Sequence, residues 1–124
     1  MNNILIIQDS PSVNAMLKFR LGSAGFSVET AETGKEGVEK AKGASFQLIL
    51  LDYNLPDLNG NEVCRILKET EQTNKIPVIF ISAKDEDKLS QITKEAGADG
   101  YIGLPCDGKT FVEKMSKFFK DRHP

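Results

Sequence analysis

The run Leu48-Ile49-Leu50-Leu51, cut off by Asp52, leaves this chain few ways to fold. Four aliphatic residues with no polar alternation suit a strand buried on both faces, as a parallel sheet requires. Asn54, Pro56, Asp57, Asn59 and Gly60 then mark a loop. A carboxylate at the carboxyl end of a central parallel strand stands where open α/β sheets place their ligand crevice. An Asp after a strand is also a common turn or capping residue, so its meaning depends on what the other strand ends carry.

The rest of the chain repeats this grammar. Ile4 to Ile7 forms a first aliphatic run, ending at Gln8-Asp9-Ser10. Pro11 suits the first turn of a helix capped by Ser10 or Asp9. Val13, Met16, Leu17, Leu21 and Ala24 recur at helical spacing up to Gly25. Phe26 to Ala31 reads as a second strand, and Thr33-Gly34 opens a helix to about Ala41. Only Val38 and Ala41 there are clearly apolar, and Gly37 lowers the propensity by roughly 1 kcal/mol relative to Ala. After the opening run, a helix is expected over Asn61 to Thr70, with Val63, Ile66 and Leu67 inward. A fourth strand is expected over Ile76 to Ile81, ending at Ser82-Ala83. An acid-led helix from Asp85 to Ala96 follows, with Leu89, Ile92 and Ala96 inward and Gly97 as its stop. Tyr101-Ile102 makes a short fifth strand and Leu104-Pro105 a turn. A last helix from about Asp107 to Lys120 carries Phe111, Val112, Met115, Phe118 and Phe119 on one side. Strands alternating with helices imply a doubly wound α/β domain with a five-stranded parallel sheet covered on both faces.

Composition narrows the function. The 124 residues suit a single domain, and 40% hydrophobic with 27% charged residues is ordinary for a globular chain. A net charge of −2 without a basic cluster argues against a nucleic-acid surface. No apolar run approaches a membrane span, and MNNILIIQDS lacks the layout of a signal peptide. Cys64 and Cys106 fit neither a metal spacing nor a disulfide framework, so both are expected as partly buried small residues of a reduced, cytoplasmic protein.

In a doubly wound fold the ends of strands one, three and four converge, bringing Gln8-Asp9, Asp52 and Ser82 to one crevice. Two carboxylates and a hydroxyl are hard oxygen groups suited to Mg²⁺. A carboxylate beside that ion can act as a nucleophile toward a phosphoryl group, with the hydroxyl binding one of its oxygens.

With Asp9, the DYNLPDLNG segment from Asp52, the ISA that ends strand four, and GADGYIGLP, the sequence resembles the receiver domain of two-component response regulators over essentially its whole length. The resemblance implies a flavodoxin-like (βα)5 fold with strand order 2-1-3-4-5. It implies Asp52 as the phosphoacceptor, with Asp9, Asp52 and the Asn54 main-chain carbonyl as Mg²⁺ ligands. Ser82 matches the hydroxyl that turns toward the phosphoryl group, Ala83 the small residue that leaves it room, and Tyr101 the aromatic switch. It also implies a histidine kinase or phosphotransfer protein as donor. A downstream partner would meet the face made by the fourth helix, fifth strand and last helix. Such a domain is not an enzyme beyond assisting its own phosphorylation and dephosphorylation. A cis Leu104-Pro105 bond is a further implication.

Two positions depart from the family pattern. Gln8 replaces the first of its paired acids, and Leu104 replaces its usual lysine. The departures cancel in charge: three acids and one lysine sum to −2, as Asp9 and Asp52 do alone. Lys84 and Lys109 are near in sequence, but no spacing argument brings either into the crevice. A retuned receiver is therefore expected, with a phosphorylation-independent pseudo-receiver as the alternative. An FMN carrier on the same fold needs a phosphate loop after strand one, where this chain has the acidic, proline-stiffened Gln8-Asp9-Ser10-Pro11-Ser12. A haloacid-type hydrolase needs a second acid two residues after Asp52, where Asn54 stands.

Other residues are expected to do quieter work. Asp57 and Asn59 read as turn residues, and Asp85, Glu86 and Asp87 favour the positive end of their helix. Phe19 falls off the apolar stripe of the first helix, which in this family docks donors. His123 reads as part of a terminal tail.

Overall fold

The structure, a computed structural model, describes residues 3–122, so the expectation for His123 lies outside the described residues. Strands β1 (Asn3–Ile7), β2 (Ser27–Ala31), β3 (Leu48–Asp52), β4 (Val78–Ser82) and β5 (Gly100–Gly103) alternate with helices. The helices are α1 (Pro11–Ser23), α2 (Gly34–Gly43), α3 (Gly60–Glu69), α4 (Glu86–Ala96) and α5 (Gly108–Arg122). All strand pairs are parallel, in the order β2-β1-β3-β4-β5. This is the expected flavodoxin-like α/β fold.

The unbroken aliphatic runs have their reason in two cores. Successive side chains of a strand point to opposite faces. Leu5, Ile7, Ile49 and Leu51 therefore join Val38, Val63, Leu67 and Leu89 under α2, α3 and α4. Ile4, Ile6, Leu48 and Leu50 join Leu17, Leu21, Phe111 and Met115 under α1 and α5.

Helix starts follow capping chemistry. Ser10, not Asp9, caps α1 by accepting from the Val13 N–H; Thr33, Asn59 and Asp85 cap α2, α3 and α4 in the same way. The acidic residues after Asp85 sit in the first turn of α4 as expected. Gly97 ends α4 at φ 74, the left-handed conformation that glycine adopts without steric cost.

The structure corrects several local expectations. β4 begins at Val78 rather than Ile76, because the Ile76 N–H closes a turn onto the Thr73 carbonyl and Pro77 has no N–H to give. β5 is longer than Tyr101-Ile102, since its flanking glycines pair with Ile79 and Ser82 of β4. On α1 the inward set is Asn14, Leu17 and Leu21; Met16 is 37% exposed and Ala24 is the C-cap. Asn14 takes the inward place because its amide donates to the Gln8 carbonyl at 2.7 Å. Cys64 is fully buried while Cys106 is partly so.

Gly37 is a weak helix former with a strong reason to be there. A Cβ at this position would lie 2.7 Å from Cγ1 of Ile7, itself fully buried. Helix α2 packs on β1 only because that side chain is missing.

Candidate functional site

Register places the site. Ile7 pairs with Leu51, which sets Gln8 beside Asp52, and Asp52 pairs with Ile81, one residue before Ser82. The ends of β1, β3 and β4 thus converge as the sequence implied. Gln8, Asp52, Asn54, Ser82, Ala83 and Leu104 line one cleft of about 480 Å³. Asp9 is exposed at its edge, close enough for its charge to act on Asp52.

Each group is held by its local backbone. The Asp52 carboxylate receives the Asn54 N–H at 3.4 Å. Gln8 is almost fully buried and accepts the Ser10 N–H at 3.1 Å through Oε1. Ser82 is 3% exposed, and its Oγ accepts the Lys84 N–H at 3.2 Å. A hydroxyl that accepts in this way still has a hydrogen to donate. The Leu104 N–H donates to the Ser82 carbonyl at 2.7 Å, which fixes the aliphatic Leu104 beside the hydroxyl. The Leu104-Pro105 bond is cis, as the resemblance implied.

Burial pushes the Asp52 carboxyl up from 3.8 to about 6. The N–H groups of Asn54 and Tyr53 and the Gln8 side chain pull against that rise, while the Asp9 charge adds to it. Among the described residues, no basic side chain offsets it. Lys84 lies with its Nζ 5.4 Å from the centroid of the Tyr53 ring, and Lys109 is exposed away from the cleft.

Tyr101 is half-buried on β5, and its hydroxyl donates to Glu86 Oε1 at 3.4 Å. It stands on the edge formed by α4, β5 and α5, where Glu86, Lys114, Lys117 and Phe118 line a shallow groove with it. Phe19 is 76% exposed on α1.

The loop after Asp52 does more than turn. Asn59 caps α3, and Asp57 accepts the Gly34 and Lys35 N–H groups at 2.8 and 3.0 Å, joining this loop to the start of α2. Burial alone would raise the Asp57 carboxyl. Those two donors, with the N–H groups of Asp57 and Leu58, outweigh it and hold the group below its ordinary value.

Sequence reasoning missed the outer wall of the cleft: Val13, Met16 and Arg20 of α1. Their i, i+3, i+7 spacing marks one helical face and was the available signal. Arg20 Nη1 donates to the Cys106 carbonyl at 3.2 Å, a link across 86 positions that no local pattern announces.

A family profile for the response regulator receiver domain matches residues 4–116. The chain belongs to that family. The receiver is 37% identical over 117 residues to the response regulator ArlR of Staphylococcus saprophyticus, covering 93% of this chain and 51% of that protein. ArlR of Staphylococcus aureus strain Mu50 is 36% identical over the same shares. The chain therefore spans about half the length of these curated relatives. Among solved structures, the chemotaxis response regulator CheY4 of Vibrio cholerae superposes with a TM-score of 0.88 at 29% identity, covering 94% of this chain and 98% of that one. The receiver domain of the sensor histidine kinase PA1611 from Pseudomonas aeruginosa, with magnesium coordinated in its active-site cleft, shares the fold at 23% identity and a TM-score of 0.87, over 96% and 98% of the two chains. Response regulators of this family act in two-component signalling, and among the described residues no helix here is long and apolar enough to cross a membrane.

Proposed function

We propose that this receiver accepts a phosphoryl group on Asp52 from a histidine kinase or phosphotransfer protein and passes the change on through protein contacts. The observation that carries the reading is the Asp52 carboxylate itself. It is partly buried at the end of β3, opens into a cleft, and has the Ser82 hydroxyl on the adjoining strand.

In this reading a carboxylate oxygen of Asp52 attacks phosphorus. The new P–O bond forms as the P–N bond to the donor imidazole breaks, and the imidazole leaves with the bonding pair and takes a proton. Ser82 donates to one phosphoryl oxygen, and Ala83 leaves room for that approach. Gln8 keeps a neutral amide where a third acid would add repulsion. Tyr101 answers the movement of Ser82 by changing its contacts with Glu86, which alters the face of α4, β5 and α5 offered to a downstream protein.

The donor set fits Mg²⁺. Asp9 and Asp52 supply two carboxylates and Asn54 a main-chain carbonyl, a set of hard oxygens of the number this ion takes while keeping several waters. The like charges of Asp9 and Asp52 act on one another and, among the described residues, no basic group offsets them at Asp52, so a divalent cation is electrostatically favoured there. Bound there, the ion supplies positive charge against the phosphoryl oxygens.

Leu104 favours a second reading, a pseudo-receiver that never takes phosphate, because an aliphatic side chain lines the cleft where a charged donor would assist transfer. Intact mass after incubation with a small phosphodonor and Mg²⁺ separates the two. The expected result is a gain of one phosphoryl group, absent in Asp52→Asn. No gain, with no backbone-amide shift on adding beryllofluoride, would establish the pseudo-receiver instead.

A further inference from the structure

The cleft at Asp52 is not only a phosphoryl site in outline; much of its lining is aliphatic. Val13 and Met16 of α1, with Leu104 and Pro105 after β5, border a volume of about 480 Å³. That lies within the range of about 300–1,000 Å³ typical of small-molecule pockets, which combine apolar walls with a few placed polar groups. Those polar groups are Asp52, Ser82, Asn54 and the nearly buried Gln8. The Leu104 N–H is tied to the Ser82 carbonyl at 2.7 Å, and Arg20 is tied to the Cys106 carbonyl at 3.2 Å, so the wall on the β5 side is pre-formed.

Charge decides the occupant. Asp52 feels the Asp9 charge at its end of the cleft, and among the described residues no lysine lines the space. Among the described residues Arg20 is the one basic residue in the lining, and it is engaged by Cys106. We propose that the cleft binds a small amphiphilic organic cation, a primary alkylammonium, with its charge on Asp52 and its chain along Val13, Met16 and Leu104. An ammonium has three donors to share among the Asp52 carboxylate and neighbouring oxygens. The aliphatic wall takes the chain out of water. Arg20 disfavours a second positive charge on the ligand, and Asp52 with Asp9 disfavours an anionic head. Such a ligand covers the Asp52 carboxylate, so it opposes phosphorylation; that consequence rests on the function proposed above, whereas binding does not.

The test is a titration of the full chain with hexylammonium in metal-free buffer, following backbone amide shifts. Saturable shifts at Asn54, Ser82 and Leu104 are expected. Affinity should fall at least about tenfold in Asp52→Asn, which removes the charge, and in Leu104→Lys, which fills the cleft with an ammonium of its own. Hexane-1,6-diammonium should bind about threefold more weakly, and hexanoate should leave these amides unmoved. Undiminished binding to Leu104→Lys, equal binding of hexanoate, or scattered shifts that do not saturate would each overturn the inference. The phosphodonor experiment runs separately. Phosphoryl gain without amine binding overturns this inference alone, and amine binding without phosphoryl gain supports it while overturning the function above.

Discussion

Two aspartates at opposite edges of the sheet meet opposite treatment. Asp99 precedes β5 at the amino edge and is 16% exposed; its Oδ2 lies 2.7 Å from Lys68 Nζ and accepts the Val78 N–H at 2.8 Å. Lys68 also donates to the Ile76 carbonyl, so one ion pair ties the end of α3 to the starts of β4 and β5. Asp52, at the carboxyl edge, is partly buried with a like charge nearby and a long 3.4 Å bond from Asn54. The same side chain ties elements together where its charge is answered and opens into a cleft where it is not. A carboxylate already paired with a cation has less to gain from a metal or a phosphoryl group.

Exchanging the two environments is the sharpest way to break this contrast. Leu104→Lys brings to the carboxyl edge what Lys68 brings to the amino edge. Phosphorylation by a small phosphodonor should then speed up by about tenfold or more, read by intact mass against time. An unchanged rate would mean that the missing charge does not limit transfer. The reverse change, Lys68→Leu, leaves Asp99 poorly paired and should cost about 2–3 kcal/mol in urea unfolding, with Asp52 phosphorylation retained. A loss below about 0.5 kcal/mol would demote the pair to an ordinary surface salt bridge.

Asp52→Asn should behave in the opposite sense. Removing an unanswered, partly buried charge should stabilise the chelator-treated protein by about 1 kcal/mol at pH 8, seen as a higher urea midpoint. Destabilisation would show that Asp52 is better compensated than its surroundings indicate. The smallest effect belongs to Asp57, an answered carboxylate on the same edge. Its folded value is depressed, so its contribution is present above the ordinary 3.8 and is lost as pH falls through the folded value. Asp57→Asn should cost about 0.5 kcal/mol at pH 7 after solvent screening, and the gap from the unaltered protein should close below pH 3.8. A gap that persists in acid would assign the cost to shape rather than charge.

Much of the site was legible because its signals are local. Asp52 and Ser82 end uninterrupted β-strands, and Asp9 follows another, so strand ends and the α/β pattern suffice to bring them together. The helix starts at Thr33 and Asp85 were equally legible, since both side chains bond three residues on, whereas Asn59, which read as a turn residue, caps α3 by the same local bond. The inward place of Asn14 was not legible, because its partner is the main-chain carbonyl of Gln8, which hydropathy does not register.

By itself, then, the sequence determined the alternation of strands and helices, the two-sided burial of the sheet and the gathering of Gln8, Asp52 and Ser82 at its carboxyl edge, all written in runs of about four to twelve neighbouring residues. Tertiary structure decided which distant groups answer one another: Asp57 with the start of α2, Lys68 with Asp99, Arg20 with Cys106, and Gly37 with Ile7. The physical reason is range. Periodicity and capping act between adjacent turns, whereas charge pairing and close packing act through space, between residues that only the completed sheet makes neighbours.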